Sequence, residues 1–144
     1  MAAYVKIYDF VEQLCLAKHN FDAAGHVIKV ALARSTDPPT QSDTILGNIT
    51  QPTGTNYAPI DVQNTIAEVT GTLTLTGTKC VFTAGAGDWQ TFRYVMLYNE
   101  DQTSPVDPLI AYWDYAGDLQ LLNGESFSVK FNGSDTTGTI FTLS

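Results

Sequence analysis

Seven consecutive residues, Phe92-Arg93-Tyr94-Val95-Met96-Leu97-Tyr98, carry apolar side chains on both alternating sets of positions, with Arg93 the single exception. Successive side chains of a strand point to opposite faces, so this stretch reads as a central strand that needs cover on both sides. A chain containing it must build at least two layers. The surrounding pattern supplies them. Thr72-Leu73-Thr74-Leu75-Thr76 alternates with period two, which sends Leu73 and Leu75 inward and the threonines outward. Ile66–Val69 precedes it as a strand, and Cys80-Val81-Phe82 follows it after a turn at Gly77. Leu109–Tyr115 is expected to pair with the central strand across the turn-rich stretch Asn99–Pro108. Phe127, Val129 and Phe131 alternate, and Ile140–Leu143 closes the chain.

The first third reads differently. Tyr4, Tyr8, Val11 and Cys15 recur at helical spacing with Ile7 and Leu14 on the same side, predicting a helix over 3–18. A first strand is expected over 26–34, with Ile28, Val30 and Leu32 on one face. Residues 35–59 form a long loop or arm, opened by Asp37-Pro38-Pro39 and relieved by a short element at Ile45–Ile49. The fold expected is mainly β: an antiparallel β-sandwich or barrel-like domain, jelly-roll or Ig-like, of about seven or eight strands with one N-terminal α-helix. With 144 residues the chain suits a single domain, 1–144, whose β-rich core occupies 60–144.

Charge narrows the function classes. The net charge is −8, unevenly placed: four basic and three acidic residues up to Arg34, then three basic and twelve acidic. Nucleic-acid binding needs a basic stripe, and none exists. No apolar run approaches the length of a membrane helix, and the N-terminus leads into no signal-peptide core, so neither membrane nor secretion is expected. Cys15 and Cys80 read as buried, reduced thiols.

Catalytic and metal motifs are weak. His19 and His26 lack the spacing of a helical metal pair and suit capping or surface roles. Gly85-Ala86-Gly87-Asp88-Trp89 has no following Lys-Ser/Thr and opens a strand, so turn geometry explains it better than phosphate binding. Asp101, Asp107, Asp114, Asp118 and Glu125 are the richest acidic group, beside Tyr112, Trp113 and Tyr115. Aspartates at strand ends are favoured for local hydrogen bonds in any case. Asn99-Glu100-Asp101 offers hard oxygens but no calcium-loop ladder. No enzyme, cofactor or metal is expected. Arg93, alone on its apolar strand, is expected to find an acidic partner, with Asp114 the candidate. Contact with a partner is expected from Thr44, Ile45, Asn48, Ile49, Thr53, Asn56 and Tyr57 in the long uncharged segment, together with the N-terminal arm.

Four blocks in the C-terminal half carry a resemblance: Phe92 to Asn99, Thr103 to Ile110, Tyr112 to Tyr115, and Leu122 to Val129. With Phe10-Val11-Glu12 and Val27 to Leu32 more loosely alike, the chain resembles a family of small tailed-bacteriophage virion structural proteins. That family has a more glycine-rich turn where this chain reads Thr53-Gly54-Thr55-Asn56-Tyr57-Ala58-Pro59. The resemblance implies a virion component encoded among the head genes and transfers no catalytic residue. A capsid decoration (cement) protein follows as the first expectation. It would bind the major capsid protein on the outer face of the head after assembly in the host cytoplasm, self-associating as a dimer or trimer. A tail, neck or fibre-adaptor component is the second expectation. A virion carbohydrate-binding module using Trp89, Trp113 and nearby tyrosines as stacking platforms is the third.

Overall fold

A computed structural model describes residues 2–144. Its centre is the strand β7 (Phe92–Asn99), buried at every position except the half-buried Arg93. On one side it pairs antiparallel with β8 (Leu109–Leu119), and on the other with β2 (Ile28–Ala33). Two short strands complete this sheet: β1 (Tyr4–Lys6) beyond β8, and β3 (Ile60–Asp61) beyond β2. The opposing layer holds a three-stranded sheet, β4 (Thr65–Val69), β5 (Thr72–Thr78) and β10 (Thr137–Leu143), in the order β10-β5-β4. Beside it lies the pair β6 (Cys80–Thr83) and β9 (Ser126–Val129). The protein is an antiparallel β-sandwich, with ten strands and one α-helix among the described residues. The extra strands beyond the expected seven or eight include the short edges β1 and β3, too brief to leave a periodic signal.

Aromatic side chains lock the layers together. Trp113 of β8 meets Phe131, Phe92 of β7 meets Phe127 edge-on at 5.2 Å, and Tyr4 of β1 touches both Trp113 and Phe141. Edge-to-face pairs of this kind add about 0.5–1.5 kcal/mol each beyond the area they bury.

The N-terminus departs from the expected helix over 3–18. Tyr4, Val5 and Lys6 pair with Trp113, Tyr112 and Ala111, so the chain begins as an edge strand. The aromatic and β-branched residues fit a pleated surface, and pairing with β8 overrides helical spacing. The helix α1 is confined to Tyr8–Cys15. Its buried face is set by Ile7 at the N-cap and Phe10, with Leu14 half-buried, while Tyr8 is 63% exposed and Val11 and Cys15 face solvent. Cys15 is therefore not the core thiol expected; Cys80 is. Burial pushes the Cys80 thiol up to about 12, which leaves it without the thiolate that reactivity requires.

The helix ends in a Schellman turn built without glycine. Lys18 N–H donates to Gln13 C=O and Ala17 N–H to Leu14 C=O, with Ala17 at φ 58°. An alanine there carries the left-handed penalty that glycine avoids. At Gly138 the reverse holds, since a Cβ would sit 1.8 Å from the Phe131 carbonyl oxygen. Ala17→Gly is expected to stabilise the fold by about 0.5–1 kcal/mol, and Gly138→Ala to destabilise it by about 1–3 kcal/mol or more. Urea unfolding midpoints of the two variants, moving in opposite directions, check this.

Candidate functional site

Residues 35–59 do not project as an arm. They form a belt that finishes the exposed side of β2, which β3 covers only at Lys29 and Val30. Beyond that point Arg34 N–H donates to Thr50 C=O, and the Leu32 N–H donates to the Tyr57 hydroxyl at 2.9 Å. The same hydroxyl donates to Gln51 Oε1 at 2.7 Å, so a side chain stands in for a missing strand. Burial keeps the Tyr57 phenol strongly protonated against the opposing pull of its Leu32 hydrogen bond. The belt continues with a bridge between Ile45 and Pro108 and a 3-10 turn at Leu46–Asn48. Asn48 Oδ1 accepts from the Thr44 and Ile45 amides, closing that turn on itself. Further on, Thr53 exchanges two hydrogen bonds with Gln90, and Thr55 C=O accepts from Gly85 N–H and from Trp89 Nε1 at 2.8 Å.

Of the seven expected contact residues, Thr44, Asn48, Thr53 and Asn56 are exposed, Ile45 and Tyr57 are half-buried, and Ile49 belongs to the core. Ile49 and Tyr57 are committed to holding the belt down. Prolines break regular structure but still pack, and Pro39 and Pro52 are both buried here.

Arg93 and Asp114 meet across β7 and β8. Nε donates to Oδ1 at 2.7 Å and Nη2 to Oδ2 at 3.0 Å, the two-pronged geometry that suits guanidinium and carboxylate. Asp114 Oδ1 also accepts from the Ala116 N–H, at a residue with φ 63°. The hydrogen bond from Arg93 holds the Asp114 carboxyl below its usual range. Both side chains stay partly open to water, so the pair fixes the twist of β8 more than it adds stability.

Beyond the other end of α1, Asn99 gathers the two histidines. Its Nδ2 lies 3.1 Å from His19 Nδ1 and 2.9 Å from His26 Nδ1, while its Oδ1 accepts from the Asp101 N–H. His19 is buried, stacked flat on Phe21 and tilted against Phe10. Burial, with His26 adding to it, pulls His19 down to about 4, against a smaller opposing effect of Asp9. Sequence spacing placed these histidines at a turn but gave no sign of the asparagine between them.

The acidic residues do not form one site. Asp101 caps the Val27 N–H, Asp114 holds Arg93, Glu125 accepts from the Leu122 N–H, and Glu100 pairs with Lys29. Asn99, Glu100 and Asp101 thus have their oxygens or amide occupied, and among the described residues no three His, Cys, Asp or Glu side chains converge as metal ligands. Trp89 and Trp113 are both core residues. A groove of about 440 Å³ between β1 and β10 is lined by Tyr4, Trp113, Asn132, Thr139 and Phe141, with the Tyr4 phenol, its only titratable group, pushed up by burial.

The uncovered surface lies elsewhere. β4 is exposed at all five positions and pairs only with β5, so one edge and both faces are open. Thr70 and Gly71, both at positive φ, make the two-residue turn that joins the strands. Strand edges are normally guarded by lysine, proline or a bulge, and β4 has none of these. Its one charge, Glu68, bends back to accept from the Gly71 N–H. Ile66 and Val69 face solvent, Val69 at 68%. Ile66–Val69 reads as a strand from the sequence; its openness is a property of which neighbours it lacks.

No family model, curated protein or solved structure matches the chain.

Removing the Tyr57 hydroxyl tests the belt. Tyr57→Phe leaves the Leu32 amide without its acceptor and is expected to cost about 1–2 kcal/mol. Amide exchange should quicken at Leu32 and along 50–57, with β7 and β8 unchanged.

Proposed function

We propose that this protein is a structural component of a bacteriophage virion, a capsid decoration protein that binds the outer face of the assembled head through the β4 edge. One observation carries the reading: the β-sandwich presents in β4 an unguarded strand with one free edge, exposed at all five of its positions. Such an edge accepts an extended segment of a partner as an additional strand, with main-chain hydrogen bonds supplying affinity. The partner is the major capsid protein, whose repeated copies allow many weak contacts to add up. Self-association as a dimer or trimer would let one cluster clamp several shell subunits. The setting follows the resemblance read from the sequence in the blocks that form β7, β8 and β9. No enzymatic role is part of the proposal.

A tail, neck or fibre-adaptor protein would use the same edge in few copies, and stoichiometry separates the two. The carbohydrate-binding reading loses its two tryptophan platforms, because both are interior and the Trp89 ring nitrogen is already donating to Thr55.

Capsids lacking this protein, mixed with the purified chain and pelleted, are expected to carry hundreds of copies, saturating at roughly a multiple of sixty. About a dozen or fewer would place the protein at the neck or tail; no binding would contradict the proposal. Val69→Lys and Ala67→Lys add charge to the open edge without touching the core. They are expected to keep the circular dichroism spectrum and to weaken binding about tenfold or more, a loss of about 1.4 kcal/mol.

A further inference from the structure

We propose that His19, Asn99 and His26 form a proton-operated latch, in which taking up a proton at His19 Nδ1 releases residues 16–27 from the end of β7. The inference is independent of any binding role. An asparagine Nδ2 has two hydrogens and no acceptor capacity, and here it is shared by two imidazole nitrogens at 3.1 and 2.9 Å. The amide cannot turn round, because the Asp101 N–H needs Oδ1 as its acceptor. The Asn20 N–H also points at His26 Nδ1, at 3.4 Å. The His19 imidazole therefore accepts at Nδ1 and carries its hydrogen on Nε2. A proton arriving at His19 Nδ1 would set N–H against N–H in a buried contact.

The latch has something to release. Lys18 C=O is held by Gln102 Nε2, Phe21 C=O by the buried Asn64, and Val27 N–H by Asp101. His19 Nε2 is buried without a hydrogen-bond partner, so a charged ring has no compensating acceptor there. The surrounding charges do not rescue it. Asp9 on α1 favours the proton but is outweighed by burial and by His26. From the loop, Lys18 contributes a carbonyl and Asp22 caps the Ala24 amide. Past β7, Glu100 is paired with Lys29 and Asp101 with the Val27 amide. Phe10 and Phe21 close the remaining sides.

The sign of the effect follows. His19 in the closed form takes a proton only near pH 4, against an ordinary 6.5 when released. Closure is complete above that ordinary value and weakens as pH falls towards about 4. For one proton the opening constant rises by up to about tenfold per pH unit in this window.

Amide hydrogen exchange of the full chain, corrected for intrinsic rates and read from pH 7 to 4, tests this. The Lys18 and His26 amides, bonded to Gln13 and Asn20 carbonyls, are expected to open progressively while Met96 and Leu97 in β7 stay protected. Asn99→Asp replaces the donor with an acceptor and should invert the profile, tightening the segment in acid and loosening it above neutrality. Flat exchange in the native chain, or an Asn99→Asp profile that runs with the native one, would overturn the latch. Should Asn99→Asp fail to fold at every pH, the imidazole proton resonances of the native chain decide. His19 taking its proton near 6.5 with the segment still closed refutes the proposal; protonation only as the segment opens supports it.

Discussion

The burial of β7 is the constraint on which the rest of the structure depends. Its eight residues are buried at every position but Arg93, and Tyr94–Tyr98 are paired with both β2 and β8. Each large apolar side chain so buried contributes about 1.5–3 kcal/mol, which nothing else in the chain matches as a local concentration of stabilisation. Cover on one face comes from the second layer of strands, and the chain must return repeatedly to supply it. The two ends of β7 are where polar chemistry enters. Arg93 at the start reaches Asp114 on β8, and Asn99 at the finish holds the two histidines. Both are polar residues made tolerable by partners that the strand's own pairing brings into reach.

The belt over 35–59 solves a problem that β2 creates. A strand next to the core strand carries backbone groups on its outer side, and β3 satisfies only part of them. Thr50 and the Tyr57 hydroxyl take over where β3 stops, and Trp89 and Gln90 anchor the far end. Irregular backbone is thus used as cover. By contrast β4 is left uncovered, and the proposed binding surface rests on that difference between a finished edge and an unfinished one.

Much of this was legible in the residues. Phe92–Tyr98 announced a strand covered on both faces, and the Thr-Leu alternation announced β5, because periodicity records which sides of a strand are wet. The pairing of Leu109–Tyr115 with β7 followed from the turn between them. Four features were not legible. Tyr4–Lys6 fits a helical stripe as well as a strand, and only the neighbouring β8 decides between them. The belt's anchoring depends on hydroxyls and amides, such as Tyr57 and Gln90, whose partners lie far away in sequence. The His19–Asn99–His26 cluster joins residues some eighty positions apart, and no local pattern signals it. The exposure of β4 is likewise invisible, since the neighbours a strand lacks are not written in its own residues.

The central claim is that the β4 edge is the surface through which this protein meets its partner. Amide exchange mapped across the whole chain, free and then bound to capsids that lack it, tests this most directly. The account predicts strong new protection at Thr65–Val69, where the outer backbone groups gain partners, and little change in β7. Binding that leaves β4 exchanging as fast as in the free protein, with protection appearing elsewhere, would contradict it.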